Sequence, residues 1–318
     1  MKQKPMVILT GPTAVGKSAL SVALAQKIGG SVISADSMQV YQYMDIGSAK
    51  ITPKEMEGIR HDLVDVLNPK EEFHVVRFQQ MAKDALEQIY AANKIPVIVG
   101  GTGFYIQALL YDIDFTEQEC DSEYRKHLEL IAKERGPKAL HQMLAAVDLQ
   151  SSEEIHPNNV RRVIRALEFY RQSGEKISEH NKKEHAKQSP YNFAYFVLNE
   201  DRAKLYERID KRVDTMIESG LIEEVKALRQ MGCTRDMVSM QGLGYKEILA
   251  YLEGQSSLED AVCKIKLETR HFAKRQLTWF KRERDVIWLT KENYANDSGL
   301  ILDKMLTILE EKNIICAS

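Results

Sequence analysis

The clearest chemical signature in this chain of 318 residues is a short glycine-rich segment near its start. Residues 11–18 match the pattern G-x-x-x-x-G-K-[ST] and directly follow the apolar run at residues 6–9. The segment consists of Gly11, Pro12, Thr13, Ala14, Val15, Gly16, Lys17 and Ser18. In this pattern the glycines permit a tight turn, the amides at a helix start face phosphate oxygens, the lysine reaches the terminal phosphate, and the serine hydroxyl can ligate Mg²⁺. The segment predicts a polyphosphate site, which fits ATP hydrolysis, phosphoryl transfer from ATP, or a diphosphate that leaves carbon.

Two further polar residues follow predicted strands. Asp36 comes after residues 32–35, and Thr102 lies in a glycine turn after the apolar run at residues 95–99. Parallel strands bring such positions to one edge of a sheet. Asp36 could act as a general base, hold magnesium through water, or cap the following turn. Thr102 could contact a phosphate or serve only the turn.

An absence at the same place is informative. Many phosphate-loop hydrolases end a strand with the aspartate that positions magnesium. Here the strand at residues 95–99 ends in the pair Gly100 and Gly101. This difference disfavours a motor or switch ATPase.

Two other segments could reach a substrate. The apolar spacing of residues 201–228 predicts one long helix that carries Arg208 and Arg212 on its flank. Either arginine could reach a diphosphate or form a surface ion pair with Glu207 or Asp210. Residues 44–50 are expected to form a polar surface loop, although the small residues beside Lys50 could line a substrate channel.

The composition limits the class of protein. The formal net charge is -2, so any nucleic-acid surface must come from local clusters of positive charge. The four cysteines lie far apart without a C-x-x-C pair, which argues against a disulfide framework or a zinc site and predicts reduced, mostly buried thiols. They are Cys120, Cys233, Cys263 and Cys316. No stretch approaches about eighteen apolar residues, and the start leads straight into the first strand, so we expect a cytoplasmic protein without a membrane partner.

Basic residues cluster in two places. One cluster contains Arg161, Arg162 and Arg165, and the other spans residues 264–284 with eight Lys or Arg against two acids. A helix in the second cluster would present Arg270, Lys274 and Lys281 on one stripe if a set of apolar residues packs inward. That set comprises Leu258, Ala261, Val262, Ile265, Phe272 and Leu277. A solvated helical face would explain either cluster alone, but the two together favour a nucleic-acid partner.

The order of the predicted elements indicates the fold class. Strand-like and helix-like segments alternate up to about residue 112, with strands at 32–35, 61–66 and 95–99 and a long helix at 75–93. This alternation predicts an α/β fold with a parallel sheet flanked by helices. Residues 1–114 and 193–318 are expected to form this core, with a strand at 193–198. Residues 115–192 are expected to form a mainly helical insertion.

Several motifs together closely resemble the bacterial tRNA dimethylallyltransferases, and the resemblance spans residues 11–280. The order of the first four motifs is highly specific, although many NTPases share the first alone. The motifs are the phosphate loop at 11–18, D-S-M-Q-V-Y at 36–41, M-D-I-G-S-A-K at 44–50, G-G-T-G-F-Y at 100–105, R-A-L-E at 165–168, G-L-G-Y-K-E at 242–247 and T-W-F at 278–280.

The resemblance implies transfer of a dimethylallyl group from dimethylallyl diphosphate to N6 of the adenosine immediately 3′ of the anticodon (position 37), with Mg²⁺ required. It implies a core like that of the phosphate-loop kinases and an insertion that contacts the tRNA anticodon arm. Asp36 is then the base, and Lys17, the loop amides and Mg²⁺ on Ser18 stabilise the leaving diphosphate. Thr102 and Arg212 correspond to positions that contact substrate groups.

The resemblance also implies a set of residues that bind tRNA, with Gln39 and Ser37 beside the target base. The set comprises Asp36, Ser37, Met38, Gln39, Thr102, Arg125, Arg161, Arg162, Val163, Ile164, Arg165, Gln241, Gly244, Tyr245, Lys246, Arg270, Lys274, Arg275 and Lys281. We expect the protein to be a monomer.

Other functions fit parts of the pattern. An adenylate isopentenyltransferase shares the core and the donor but takes a free nucleotide, which needs neither the insertion nor the basic clusters. A small-molecule kinase would use ATP in the same loop. An RNA-binding protein without activity would not need Asp36.

Overall fold

The computed structural model describes residues 3–115 and 122–316. Cys120 and the acidic residues Glu117, Glu119 and Asp121 lie outside this part of the chain. Two compact units are present: residues 1–110 together with 190–318, and residues 111–189. The assignment of residues 115–192 to a domain that contacts RNA stays a prediction.

The first unit contains a parallel sheet, which confirms the predicted fold class. Within the described residues the sheet has six strands in the order β3-β2-β4-β1-β5-β6. The strands are β1 (Lys4–Thr10), β2 (Gly30–Ser34), β3 (His61–Asp62), β4 (Ile95–Gly100), β5 (Tyr191–Asn199) and β6 (Val286–Thr290). The central strand β1 carries a continuous apolar run and is buried from Met6 to Thr10, as expected for a parallel strand covered on both faces. Thr10 pairs with Gly100 on one side and Val197 on the other, so the carboxyl ends of these strands align.

Helices flank the sheet and fill the second unit. The helices before residue 111 are α1 (Lys17–Ile28), α2 (Pro53–Met56), α3 (Val75–Ala91) and α4 (Gly103–Leu110). The second unit contains α5 (Ser122–Glu134), α6 (Pro137–Val147), α7 (Leu149–Glu154), α8 (Val160–Ser173) and α9 (Ile177–Ala186). The first unit continues with α10 (Arg202–Glu218), α11 (Leu221–Gln230), α12 (Tyr245–Leu252), α13 (Leu258–Phe280) and α14 (Ser298–Glu311). Short 3₁₀ turns lie at Ser239–Gln241 and Lys291–Tyr294.

Two predicted elements were wrong in extent. The strand predicted at 61–66 ends at Asp62 because Leu63 and Asp65 have φ values of 63° and 60°, which no extended strand accommodates. The single helix predicted at 201–228 is two helices, because Gly220 adopts a φ of 99° between α10 and α11. The apolar spacing continues across this break, so periodicity alone could not reveal it.

The inward face of α13 also differs from the predicted one. Ala261 and Ile265 are buried as expected, but the second half of the helix buries Ala273, Gln276 and Phe280. Phe272 and Leu277 are only partly buried. The prediction missed this because it assigned only apolar residues to the core, whereas a polar side chain, Gln276, lies in it.

The expectation of mostly buried thiols was also wrong. Cys233 is buried, but Cys263 and Cys316 are exposed, and all three are free. Among the residues that the structure describes, no helix has the length and apolar character needed to cross a bilayer.

A single carboxylate holds the loop at residues 44–50. Glu224 of α11 accepts hydrogen bonds from the backbone N–H groups of Asp45 (2.8 Å), Ile46 (2.7 Å) and Gly47 (3.1 Å) and from the hydroxyl of Tyr245 (2.8 Å). A Cβ at Gly47 would lie 2.6 Å from the Tyr245 ring, so only glycine fits there. The loop is therefore anchored to the rest of the fold by specific hydrogen bonds and packing.

We predict that Glu224→Gln lowers the free energy of unfolding by about 2 kcal/mol, because the amide would turn a donor toward backbone N–H groups that need an acceptor. Denaturant unfolding followed by circular dichroism measures this change. Glu223→Gln is the matched control, since the Glu223 side chain is 70% exposed and lies 3.6 Å from Lys226. Equal stability of the two variants would contradict the anchoring role.

Candidate active site

The phosphate loop leaves the end of β1 and enters α1 through a strained backbone. Gly11, Ala14 and Gly16 have φ values of 146°, 64° and 100°. A Cβ at Gly11 would lie 2.2 Å from the carbonyl oxygen of Leu198, so the loop packs directly against β5. This path presents the backbone amides at the start of α1 as an anion site.

Lys17 is enclosed by the loop itself. Its Nζ donates hydrogen bonds to the carbonyl oxygens of Gly11 (3.0 Å) and Pro12 (2.8 Å). Burial lowers the pKa of Lys17 to about 7, the negative charge of Asp36 opposes this shift, and the positive charge of Arg212 adds to it. Lys17, Asp36 and Arg212 therefore lie close enough to act on one another. Ser18 follows with an exposed side chain in the first turn of α1.

Three charged residues beside the loop form a cluster around Gly16. Arg208 donates from Nε to the carbonyl oxygen of Ala14 at 3.0 Å. Arg208 and Lys291 each lie 3.6 Å from a carboxylate oxygen of Glu200 and 3.5 Å from where a Cβ of Gly16 would stand. Arg208 thus contacts the phosphate loop and does not pair with Glu207 or Asp210. The sequence analysis missed Glu200 and Lys291, although both directly follow strands at the carboxyl edge of the sheet.

The two carboxylate oxygens of Asp36 have different surroundings. Its Oδ1 accepts hydrogen bonds from the backbone N–H groups of Met38 (2.8 Å) and Gln39 (3.3 Å), so the capping role is present. Its Oδ2 accepts no hydrogen bond from the residues that the structure describes. The side chain is half-buried at the end of β2. The cap therefore fixes one carboxylate oxygen and leaves the other without a hydrogen bond to the described residues.

Thr102 lies next to Asp36 because two strand ends touch. A Cβ at Gly100 would lie 2.3 Å from the carbonyl oxygen of Ala35, and the N–H of Thr102 donates to that same oxygen at 3.3 Å. The carbonyl of Thr102 accepts from Tyr105 and begins α4. The backbone of Thr102 thus serves the turn, and its half-buried side chain lies beside the phosphate loop and Asp36.

Gln276 of α13 joins the two glycine-rich turns. Its Oε1 accepts a hydrogen bond from the N–H of Thr13 at 2.9 Å, and its Nε2 donates to the carbonyl oxygen of Gly101 at 2.9 Å. The residue is 6% exposed. Sequence reasoning did not single out Gln276, because nothing local in the sequence indicates contacts with residues so far away in the chain.

The residues that follow Asp36 are Ser37, Met38 and Gln39, and all three are half-buried. Gln39 donates from Nε2 to the carbonyl oxygen of Ala49 at 3.1 Å, which links it to the loop at 44–50. Lys50 is held inside this loop, since its Nζ donates to the Tyr41 carbonyl at 2.6 Å and its side chain is 7% exposed.

The segment around residues 241–246 is largely structural. Tyr245 is fully buried, so its side chain is not available to RNA, contrary to expectation. Gln241 is exposed and donates to the carbonyl oxygen of Arg235. Gly244 is buried with a φ of 93°, and Lys246 lies 3.7 Å from Glu247.

The basic stripe on α13 is only partly as predicted. Arg270 forms a two-pronged ion pair with Asp210 of α10, whose Oδ1 accepts from Nε at 2.9 Å, so this arginine ties two helices together. Lys274, Arg275 and Lys281 are exposed. Lys274 and Lys281 line a cleft of about 590 Å³ together with residues of α10 and the ends of β5 and β6.

The remaining predicted RNA contacts belong to the second unit. Arg161, Arg162 and Arg165 of α8 are exposed. Val163 and Ile164 are 0% and 4% exposed in the core of that unit, so their side chains cannot contact RNA there. Arg125 forms a two-pronged ion pair with Glu168 at 2.9 and 2.7 Å, which joins α5 to α8.

The structure therefore gathers the phosphate loop, Asp36, Thr102 and Arg212 at one edge of the sheet in the first unit.

No cluster of three or more His, Cys, Asp or Glu side chains that could hold a metal occurs within residues 3–115 and 122–316. A cation at this edge would instead need a serine hydroxyl, water and phosphate oxygens, which is a ligand set typical of Mg²⁺. The exposed Ser18 beside Lys17 fits that set.

Comparison with known proteins identifies the family. The sequence model of the IPP transferase family matches residues 39–283, and that of the isopentenyl transferases matches residues 5–70. A tRNA dimethylallyltransferase from Lachnoclostridium phytofermentans is 59% identical over 312 residues, which cover 98% of this chain and 99% of that protein.

Solved structures agree with the sequence comparisons. The full-length tRNA isopentenylpyrophosphate transferase from Bacillus halodurans has a TM-score of 0.73 at 42% identity, covering 98% of each chain. A eukaryotic dimethylallyltransferase captured acting on tRNA has a TM-score of 0.78 at 32% identity, covering 90% of this chain and 74% of that one. The phosphate loop, the acid beside it and these relatives lead to one conclusion: this chain belongs to the IPP transferase family.

Proposed function

We infer that this protein transfers a dimethylallyl group from dimethylallyl diphosphate to tRNA, and we propose N6 of the adenosine immediately 3′ of the anticodon (position 37) as the acceptor atom. One observation supports this chemistry above all. The phosphate loop lies beside a carboxylate at the end of β2, while the strand between them, β4, ends in glycine where a hydrolase would place an acid. Such a site holds a leaving diphosphate and removes a proton.

The donor diphosphate would lie in the phosphate loop. The amides at the start of α1 and the side chains of Lys17 and Arg212 would stabilise the negative charge that grows as the allylic C–O bond breaks. Arg208 fixes the loop through the carbonyl of Ala14. Ser18 is the residue placed to hold Mg²⁺, which would supply further charge stabilisation when bound.

The acceptor amine needs a base because its lone pair is delocalised into the adenine ring. As the C–N bond forms, N6 gives a proton to Oδ2 of Asp36, and the electrons of the C–O bond leave with the diphosphate. The amides of Met38 and Gln39 hold Oδ1, so they orient the other oxygen. The adenine must leave the base stack, which costs a few kcal/mol, and Ser37 and Gln39 are placed to receive it.

The RNA backbone would lie against exposed basic residues. In the first unit these are Lys274, Arg275 and Lys281. In the second unit they are Arg161, Arg162 and Arg165, and we propose that this unit contacts the anticodon arm. Arg125 and Arg270 would support this RNA surface indirectly, because their ion pairs hold together the helices that carry the exposed basic residues. We expect the protein to act as a monomer in the cytoplasm.

The direct test is mass analysis of nucleosides after the protein reacts with dimethylallyl diphosphate and an unmodified anticodon stem-loop. We expect a prenylated adenosine at position 37, and Asp36→Asn should lower kcat by about 10²- to 10⁴-fold because it keeps the capping oxygen but not the base. The affinity for tRNA should stay within about threefold, since Asp36 does not carry the phosphate contacts. Product on AMP alone, or phosphoryl transfer from ATP, would overturn the proposal.

Diphosphate binding should depend on pH through Lys17. In the free protein Lys17 loses its proton near pH 7, and a bound anion favours the charged form. Below that pH the lysine is already charged and adds no dependence. Above it, binding must take up a proton, so the affinity falls by up to about tenfold per pH unit.

Calorimetry with inorganic diphosphate at several pH values measures this effect. Lys17→Arg is the control, because arginine stays charged throughout and leaves only the titration of the ligand itself. Identical pH profiles for the two proteins would contradict the role of Lys17.

Removal of two exposed lysines should weaken tRNA binding in a salt-dependent way. We expect Lys274→Ala together with Lys281→Ala to reduce the slope of log affinity against log salt by about one per lysine. Lys304→Ala, at an exposed position of α14, is the control with the same change of charge per residue. A slope equal to that of the wild type would show that these lysines of α13 do not contact the RNA.

A further inference from the structure

The side-chain amide of Gln276 makes two hydrogen bonds of opposite sense inside the protein. It accepts from the N–H of Thr13 in the phosphate loop and donates to the carbonyl of Gly101 in the turn that carries Thr102, both at 2.9 Å. Glutamine supplies an acceptor and a donor on one planar group, as this pairing requires. A buried amide with both partners satisfied is a rigid link.

The packing of α13 explains the glycines of that turn. A Cβ at Gly101 would lie 2.1 Å from Nε2 of Gln276, and a Cβ at Gly103 would lie 2.2 Å from Cδ1 of Trp279. Neither glycine has a positive φ. The backbone conformation therefore does not demand glycine at these positions, and the close approach of α13 does.

The same helix exposes basic residues close to Gln276. Lys274 and Arg275 directly precede it, and Lys281 follows a little more than one turn later. Residues three and four apart share a helix face, whereas adjacent residues point in different directions. The buried amide and the exposed lysines therefore belong to different faces of one rigid element.

We propose that Gln276 is a positioning residue that fixes the phosphate loop and the Thr102 turn to the helix that faces RNA. This inference rests on the proposed function. The allylic carbon of the donor and the amine of the acceptor must meet at bonding distance, and each substrate is held by a different element. Gln276 connects those elements directly, so it sets the distance between the two reactants.

The test compares Gln276→Met, which keeps the volume but loses both hydrogen bonds, with Ile265→Ala, which removes buried apolar atoms of α13 away from the loops. Ile265 is 2% exposed. We expect Gln276→Met to lower kcat by about 10- to 100-fold while the Kd for tRNA changes less than about twofold, because the exposed lysines are untouched. Ile265→Ala should lower Tm and leave kcat, measured well below Tm, near the wild-type value.

Gln276→Glu adds a readout that a purely structural role would not change. When protonated, glutamic acid can both accept from Thr13 and donate to Gly101, whereas the carboxylate can only accept. The ratio of its kcat to that of the wild type should therefore rise as the pH falls, and the ratio for Gln276→Met should stay flat.

The outcomes separate the two proposals. A wild-type kcat in Gln276→Met, or a loss of kcat in Ile265→Ala of the same size, would overturn the positioning role. A flat ratio for Gln276→Glu would do the same. A wild-type protein that prenylates no tRNA would instead overturn the proposed function.

Discussion

The site depends on close contact between the ends of three parallel strands. The hydroxyl of Thr10 donates to the carbonyl of Gly100 at 2.7 Å, the N–H of Ala35 donates to the carbonyl of Val99 at 2.8 Å, and no Cβ fits at Gly100. This contact leaves no room for a side chain at Gly100, the last residue of β4. The reactive groups must come from the residues just beyond, which are the phosphate loop after β1, Asp36 after β2 and Thr102 after β4.

Electrostatics explain how this edge can hold a diphosphate. Lys17, Arg208, Arg212 and Lys291 carry positive charge around the loop, and Glu200 balances two of them. Burial makes an isolated ammonium costly, which lowers the pKa of Lys17, and an anionic ligand would remove that penalty. An anionic ligand would thus complete the charge balance of this site.

Sequence alone predicted the parts of the site that depend on local order. The phosphate loop, Asp36 and Thr102 each follow a strand within a few residues, so a motif reveals them. Gln276 and Glu224 were missed because their partners lie far away in the chain, and only packing brings them together. Tyr245 was misassigned for the opposite reason, since a motif shows that a residue matters and not whether it reaches the surface.

The contacts around Gln39 illustrate how motif residues away from the phosphate loop support the site. Gln39 is fixed by the carbonyl of Ala49, Ala49 belongs to the loop at 44–50, and Glu224 binds three amides of that loop. The hydroxyl of Tyr245 donates a further hydrogen bond to the carboxylate of Glu224, and the Tyr245 ring packs against Gly47. If Gln39 receives the target adenine as proposed, this fixed geometry would help it to discriminate that base, because a preorganised partner loses little freedom on binding. The motif at 242–247 therefore supports Gln39 indirectly, through the contacts of Tyr245 with Glu224 and Gly47, and the buried Tyr245 side chain does not reach the surface where the resemblance implied that it binds RNA.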